Sequence, residues 1–153
     1  ANVVKIPAPQ LQLVSLNDRV AACKMFMETV CRNRNITLHL TLCDENPHVR
    51  MDTSLFEQVL VNIIKNAAES IGEEGNIFIR TSVFPTMLEI ADTGAGISKE
   101  VEAKLFSPFF STKPNGQGIG LIFIREVLMK HGCTFSLRTY SDGLTRFRIR
   151  FSA

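Results

Sequence analysis

The sequence has no uninterrupted apolar segment approaching the ~20 residues that a membrane-spanning helix needs. It shows no secretory signal pattern. It has no basic run, and a net charge of +2 over 153 residues is too weak to suggest a nucleic-acid surface. CxxC pairs are absent. Cys23, Cys31, Cys43 and Cys133 stand apart, and His39, His48 and His131 are not at metal-ligand spacing from them. Buried, reduced thiols in a cytoplasmic protein are the expectation. Internal repeats and low-complexity tracts are missing too.

What is present is a chain that can fold. Hydrophobic residues make up 45%, which argues against disorder, and the length suits one domain with a real core. Pro7 and Pro9 mark residues 1–16 as a linker arriving at a domain over 17–153. The chain opens on Ala1 without methionine, which reads as a fragment of a longer parent. A membrane anchor elsewhere in that parent is compatible with this segment.

Periodicity predicts a helix from about Asn17 to Arg32, with Val20, Ala21, Met25, Met27 and Val30 as its apolar positions. "ITLHLTLC" alternates as a strand with Ile36, Leu38, Leu40 and Leu42 on one face. A short strand is expected near Val49 and Met51. A long helix from about Ser54 to Ile71 follows, capped by Asp52 or Ser54 and stopped by Gly72. "NIFIRTSV" and "MLEIAD" read as a hairpin about Pro85–Thr86. A short helix spans about Lys99 to Leu105, and a second strong one runs from Gly118 to Lys130. "CTFSLRTY" and "LTRFRIRF", joined by "SDG", close the chain. At the end of the last helix His131 precedes Gly132, where a cationic ring suits the helix dipole. Hairpin-paired strands with helices on one face predict an α+β, two-layer sandwich with a mixed, mostly antiparallel sheet.

Four segments carry possible chemistry. In "NIIKNAAES", Asn62 and Asn66 lie one turn apart at the edge of an apolar helix face, although asparagine is a mediocre helix former. "DTGAGI" follows a strand whose last residue, Asp92, is placed to accept a hydrogen bond from an exocyclic amine, or simply to cap the next turn. "FSPFFSTK" puts Phe106, Phe109 and Phe110 before Lys113. Core packing and a solvated lysine are the bland readings; a ligand clamp and a phosphate ligand are the others. "GQGIGL" opens a helix, where unpaired N–H groups and close backbone approach suit a phosphate, or only a tight turn. It lacks the GK[ST] ending of a P-loop and the strand–helix–strand setting of a dinucleotide fold.

Taken in order, these segments resemble the N, G1, F and G2 boxes of the ATP-binding catalytic domain of sensor histidine kinases. The variants "NAAES" and "FSPFFSTK", with the opening stretch "KIPAPQLQLVSLND", look most like the nitrogen-regulation subgroup. The resemblance implies the Bergerat-type fold shared with type II topoisomerase, Hsp90 and MutL ATPases, with ATP and Mg²⁺ as cofactors. By position, Asn66 would coordinate Mg²⁺ and Asp92 would bind adenine N6. Gly94 and Gly96 would shape the adenine pocket, with Ile97 against the ring. Phe106 to Gln117 would form a flexible lid, Phe110, Gly116 and Gln117 lying toward the nucleotide. Lys113 would reach the terminal phosphates, Gly118, Ile119, Gly120 and Leu121 would offer them backbone N–H groups, and Thr145 would sit beneath the adenine. One departure stands out: where many members carry a basic or aromatic residue after the second asparagine, this chain has Glu69 and Ser70.

Hydrolytic relatives place a general-base glutamate four residues before the magnesium asparagine. Here that position is Asn62. The resemblance therefore implies a kinase that delivers the γ-phosphoryl to a histidine on a separate dimerisation and phosphotransfer domain. A response-regulator receiver domain would act downstream, and the parent would be a homodimer. No nucleic acid or membrane contact by this segment is expected. His39, His48 and His131 lack the flanks of a phosphoacceptor. A hydrolase or serine kinase of the same superfamily, or a non-catalytic nucleotide sensor, is the alternative.

Overall fold

A computed structural model describes residues 5–107 and 119–152. The chain enters as strand β1 (Gln12–Ser15), paired antiparallel with β3 (His48–Met51) in a small sheet of its own. The expected linker is thus structured from Gln12 onward. The helix expected from Asn17 to Arg32 is two, α1 (Leu16–Ala22) and α2 (Lys24–Arg32), broken at Cys23. The reason lies in which residues are buried. Leu16, Val20, Cys23, Met27 and Cys31 line the core, whereas Ala21 is exposed and Met25 is 82% exposed. A kink at Cys23, whose N–H turns back to Val20 O at 3.0 Å, keeps that stripe inward.

The main sheet among the described residues runs β2 (Ile36–Thr41), β4 (Gly75–Ser82), β5 (Met87–Asp92), β7 (Thr145–Arg150), β6 (Thr134–Thr139) in spatial order. Only β2 and β4 are parallel; the other neighbours are antiparallel, as the sequence reading expects. Helices α3 (Thr53–Ile71) and α5 (Ile119–Lys130) cover one face. Strand alternation sends Ile77, Ile79, Leu88, Ile90, Phe147 and Ile149 toward them, all buried. They meet Leu55, Val59, Leu60, Ile63 and Ile64 of α3 and Ile124, Val127 and Leu128 of α5. Burying each such side chain contributes about 1.5–3 kcal/mol.

Asp52 is the cap of α3: its carboxylate accepts from Leu55 N at 3.1 Å. Its own N–H donates to His131 Nε2 at 3.0 Å, and His131 Nδ1 lies 2.8 Å from Val127 O. An amide donor on one ring nitrogen and a carbonyl on the other define a neutral imidazole, protonated at Nδ1. His131 therefore joins the end of α5 to the start of α3 as a neutral bridge, where the sequence suggests a cation at a helix end. The short helix α4 is confined to Lys99–Glu102 and is capped by Ser98.

Candidate functional site

The helix-side row of β5 runs Leu88, Ile90, Asp92, and that of β7 runs Thr145, Phe147, Ile149. Asp92 and Thr145 face each other in the register, so the hydrophobic row ends in a carboxylate beside a hydroxyl. Both are buried, at 6% and 3% exposure. Asp92 Oδ1 accepts from Gly94 N at 2.8 Å. Burial nevertheless pushes the carboxyl up to about 6, against the opposing pull of that N–H. A carboxylate held this way in an apolar wall is a strong acceptor for a ligand N–H group.

The loop after Asp92 is clamped on both sides. At Gly94 a Cβ would lie 2.8 Å from the backbone carbon of Ser70 and 2.9 Å from Asp92 Oδ1, so only glycine fits against the last turn of α3. Ala95 N donates to Ser70 O at 3.3 Å. Gly96 takes φ +83°, a left-handed conformation that glycine adopts without strain. Ile97 N then donates to Thr139 Oγ1 at 2.7 Å, and Thr139 Oγ1 is 2.7 Å from Thr145 Oγ1. Thr139 N also donates to Glu102 Oε2 of α4 at 3.3 Å. The loop thus spans from α3 to β6, held through the N–H groups of Gly94, Ala95 and Ile97.

Asn62 and Asn66 lie half-buried at the margin of the buried stripe of α3. Asn62 Nδ2 donates back to Gln58 O at 3.0 Å, within its own helix. Gly120 and Leu121 lie in the first turn of α5, with Leu121 packed against the core. Ile119 opens that helix, where backbone N–H groups have no intrahelical acceptor. Phe106 was expected to begin a lid. It belongs to the core instead, edge-on to Phe135 at 5.2 Å and to Phe147 at 6.2 Å between ring centroids. Phe110, Lys113, Gly116, Gln117 and Gly118 lie outside the described residues.

The structure brings Asp92, Gly94, Gly96, Ile97 and Thr145 together around one loop. Sequence reasoning missed Thr139 and saw Ser70 only as a departure. Neither has a local signature: Ser70 acts through its backbone carbonyl, and Thr139 comes opposite Thr145 only when β6 pairs with β7. Among the described residues no three His, Cys, Asp or Glu side chains converge as a metal cage. A hard cation that brings phosphate oxygens of its own needs as little as one amide oxygen from the protein, the role the sequence reading assigns to Asn66.

Residues 51–153 match the family described as histidine kinase-, DNA gyrase B-, and HSP90-like ATPase. The C4-dicarboxylate transport sensor protein DctS of Rhodobacter capsulatus is 32% identical over 95% of this chain and 23% of its own length. Sensor histidine kinase ZraS of Escherichia coli O157:H7 is 30% identical over 91% of this chain and 31% of its own length. The chain thus spans under a third of these relatives. The nucleotide-free catalytic domain of histidine kinase ThkA superposes with a TM-score of 0.83 at 28% identity, over 93% of this chain and 95% of that one. ThkA in complex with the response regulator TrrA matches with a TM-score of 0.75 at 25% identity, over 94% of this chain and 42% of that one. Together with the clamped glycine loop and its buried aspartate, the match over residues 51–153 places this chain in the family of histidine kinase-, DNA gyrase B- and HSP90-like ATPases.

Proposed function

We propose that this chain is the ATP-binding catalytic domain of a two-component sensor histidine kinase. The observation that carries the reading is Asp92, a buried carboxylate at the end of the core row beside a pre-clamped glycine loop. In this reading Asp92 accepts from the adenine amino group. Ile97 and Thr145 lie at the base, and Gly94 and Gly96 let the loop approach it. Ile119, Gly120 and Leu121, in the first turn of α5, receive the phosphates in this reading, and Phe110, Lys113, Gly116, Gln117 and Gly118, which lie outside the described residues, would contribute to the same nucleotide site by the resemblance of their motifs. Asn66 would hold Mg²⁺, which when bound neutralises phosphate charge. Catalysis by the chain's own residues is positioning and charge stabilisation of a phosphoryl group, as in phosphoryl transfer generally.

The amide at Asn62 supports transfer over hydrolysis, because it cannot take a proton from water. The acceptor would be a histidine on a dimerisation and phosphotransfer domain of the same homodimeric parent, working on the cytoplasmic side of a bacterial inner membrane. A receiver domain would take the phosphoryl next. The histidines here support an acceptor elsewhere. His39 stacks on Phe78 and bonds Asn76, and both nitrogens of His131 are engaged. The nitrogen-regulation grouping rests on "NAAES", "FSPFFSTK" and the opening stretch "KIPAPQLQLVSLND" alone. The test is incubation with labelled ATP, alone and with the parent's helical domain. Label appearing only on the helical domain is expected. Robust self-labelling, or steady phosphate release by the pure chain, overturns the reading in favour of another reaction.

A further inference from the structure

The face of the main sheet turned away from the helices carries charge of a particular kind. Arg80 of β4, Arg138 of β6 and Arg146, Arg148 and Arg150 of β7 all point to it by strand alternation. Glu89 of β5 lies among them and is 6% exposed. Arg148 Nε meets it at 2.7 Å, Arg80 Nη2 at 3.2 Å and Arg146 Nε at 3.6 Å. Asp142, in the β6–β7 turn, holds Arg146 through both carboxylate oxygens. The guanidinium carbons of Arg146 and Arg148 lie 4.8 and 4.6 Å from the centre of the Tyr140 ring.

Two features go beyond an internal ion network. Arg138 and Arg150 pair with no carboxylate among the described residues, and Arg138 lies directly opposite Arg146, a like-charge pair that costs stability. The strands of this sheet contain no lysine. A face kept merely soluble is served as well by lysine; arginine is the residue of planar, bidentate recognition and is enriched at interfaces where lysine is depleted. Five guanidinium groups against two carboxylates leave an excess of three charges, more than the +2 of the whole chain. Beyond Ser82 and Met87, the last pair of the β4–β5 hairpin, the turn presents Phe84, 96% exposed.

We propose that this open sheet face is a docking surface for a protein partner presenting clustered carboxylates, with Phe84 as an apolar contact at its rim. Arg146 and Arg148 are already immobilised by Glu89, Asp142 and Tyr140, so little side-chain entropy is lost when a carboxylate binds. The charge excess is too small for a nucleic acid, whose binders neutralise about 6–10 phosphates, and Glu89 in the middle of the arginines opposes a polyanionic backbone. The surface lies on the opposite side of the sheet from Asp92, so the inference is independent of the nucleotide reading.

The test is titration of the labelled chain with a short glutamate-rich peptide containing leucine, reading the arginine Nε–H resonances. Shifts confined to Arg80, Arg138, Arg146, Arg148 and Arg150 are expected. Affinity should fall about tenfold in the double variant Arg138→Glu, Arg150→Glu, with binding of an ATP analogue unchanged. The control, Arg32→Glu with Arg50→Glu, alters net charge equally and should leave peptide affinity as it was. If the double variant does not fold, Arg138→Gln with Arg150→Gln removes the same charges. The inference is overturned if the control weakens binding equally, if no resonance of the face moves, or if an oligothymidylate or phosphatidylserine vesicles bind the face more tightly than the peptide.

Discussion

Replacing Asp92 with asparagine should stabilise the chain while weakening nucleotide binding. Burial raises the carboxyl from its ordinary 3.8 to about 6. The folded state therefore holds a proton that the unfolded chain has released, and stability falls as pH rises between those values. At ~1.4 kcal/mol per pH unit the loss is about 3 kcal/mol, complete above pH ~7. Asparagine keeps an oxygen for Gly94 N and carries no charge, so it escapes this cost. The variant should match the parent chain near pH 4 and exceed it by up to about 3 kcal/mol at pH 7.5. For a chain of this length that is roughly 6–12 °C in melting temperature. In the proposed site the new amide turns a donor toward the adenine amino group, so affinity for an ATP analogue should drop about tenfold to a hundredfold. Thermal melts across pH 4–8, paired with calorimetric titration, read both effects. A variant less stable than the parent at pH 7.5, or a stability difference that does not change with pH, would refute the electrostatic reasoning.

Three further outcomes follow from the geometry. Gly94→Ala should cost about 1–3 kcal/mol in urea denaturation and weaken ATP-analogue binding, and adding Ser70→Ala should not rescue it, because the clash includes the Ser70 backbone carbon. Thr139→Val leaves Ile97 N without its acceptor and should lower ATP-analogue affinity severalfold, whereas Thr139→Ser should keep it; loss in Thr139→Ser with none in Thr139→Val would point to packing of the methyl group instead. His131→Ala removes the acceptor of Asp52 N and should destabilise the chain by about 1–3 kcal/mol, measured by denaturation, with no change in nucleotide affinity.

Much of the fold was legible because its signals are local. The apolar stripe of α3, the alternation of β4, β5 and β7 and the turn residues between them depend on neighbours a few positions away. The break at Cys23 was not legible, because Met25 and Met27 look alike in sequence and only packing against α3 decides that Met27 is the buried one. Phe106 was ambiguous for the same reason until Phe135 and Phe147 came beside it. In the candidate site Asp92 and the glycines stood out because their residue types are unusual at a strand end and in a tight loop. Thr139 and the carbonyl of Ser70 did not, since a hydroxyl or a peptide oxygen has no signature until something donates to it.

By itself the sequence determined the family, the order of elements and the residues with unusual chemistry, since each is written in type and spacing along the chain. The tertiary structure alone decided what surrounds them. It placed Asp92 at the edge of a desolvated row and so raised its carboxyl. It made His131 neutral by supplying an amide on one side and a carbonyl on the other. It also gathered Arg80, Arg138, Arg146, Arg148 and Arg150 from three strands onto one face. The sequence contains no basic run because antiparallel pairing, with its two-residue alternation, builds a charged surface from residues that are never adjacent in the chain.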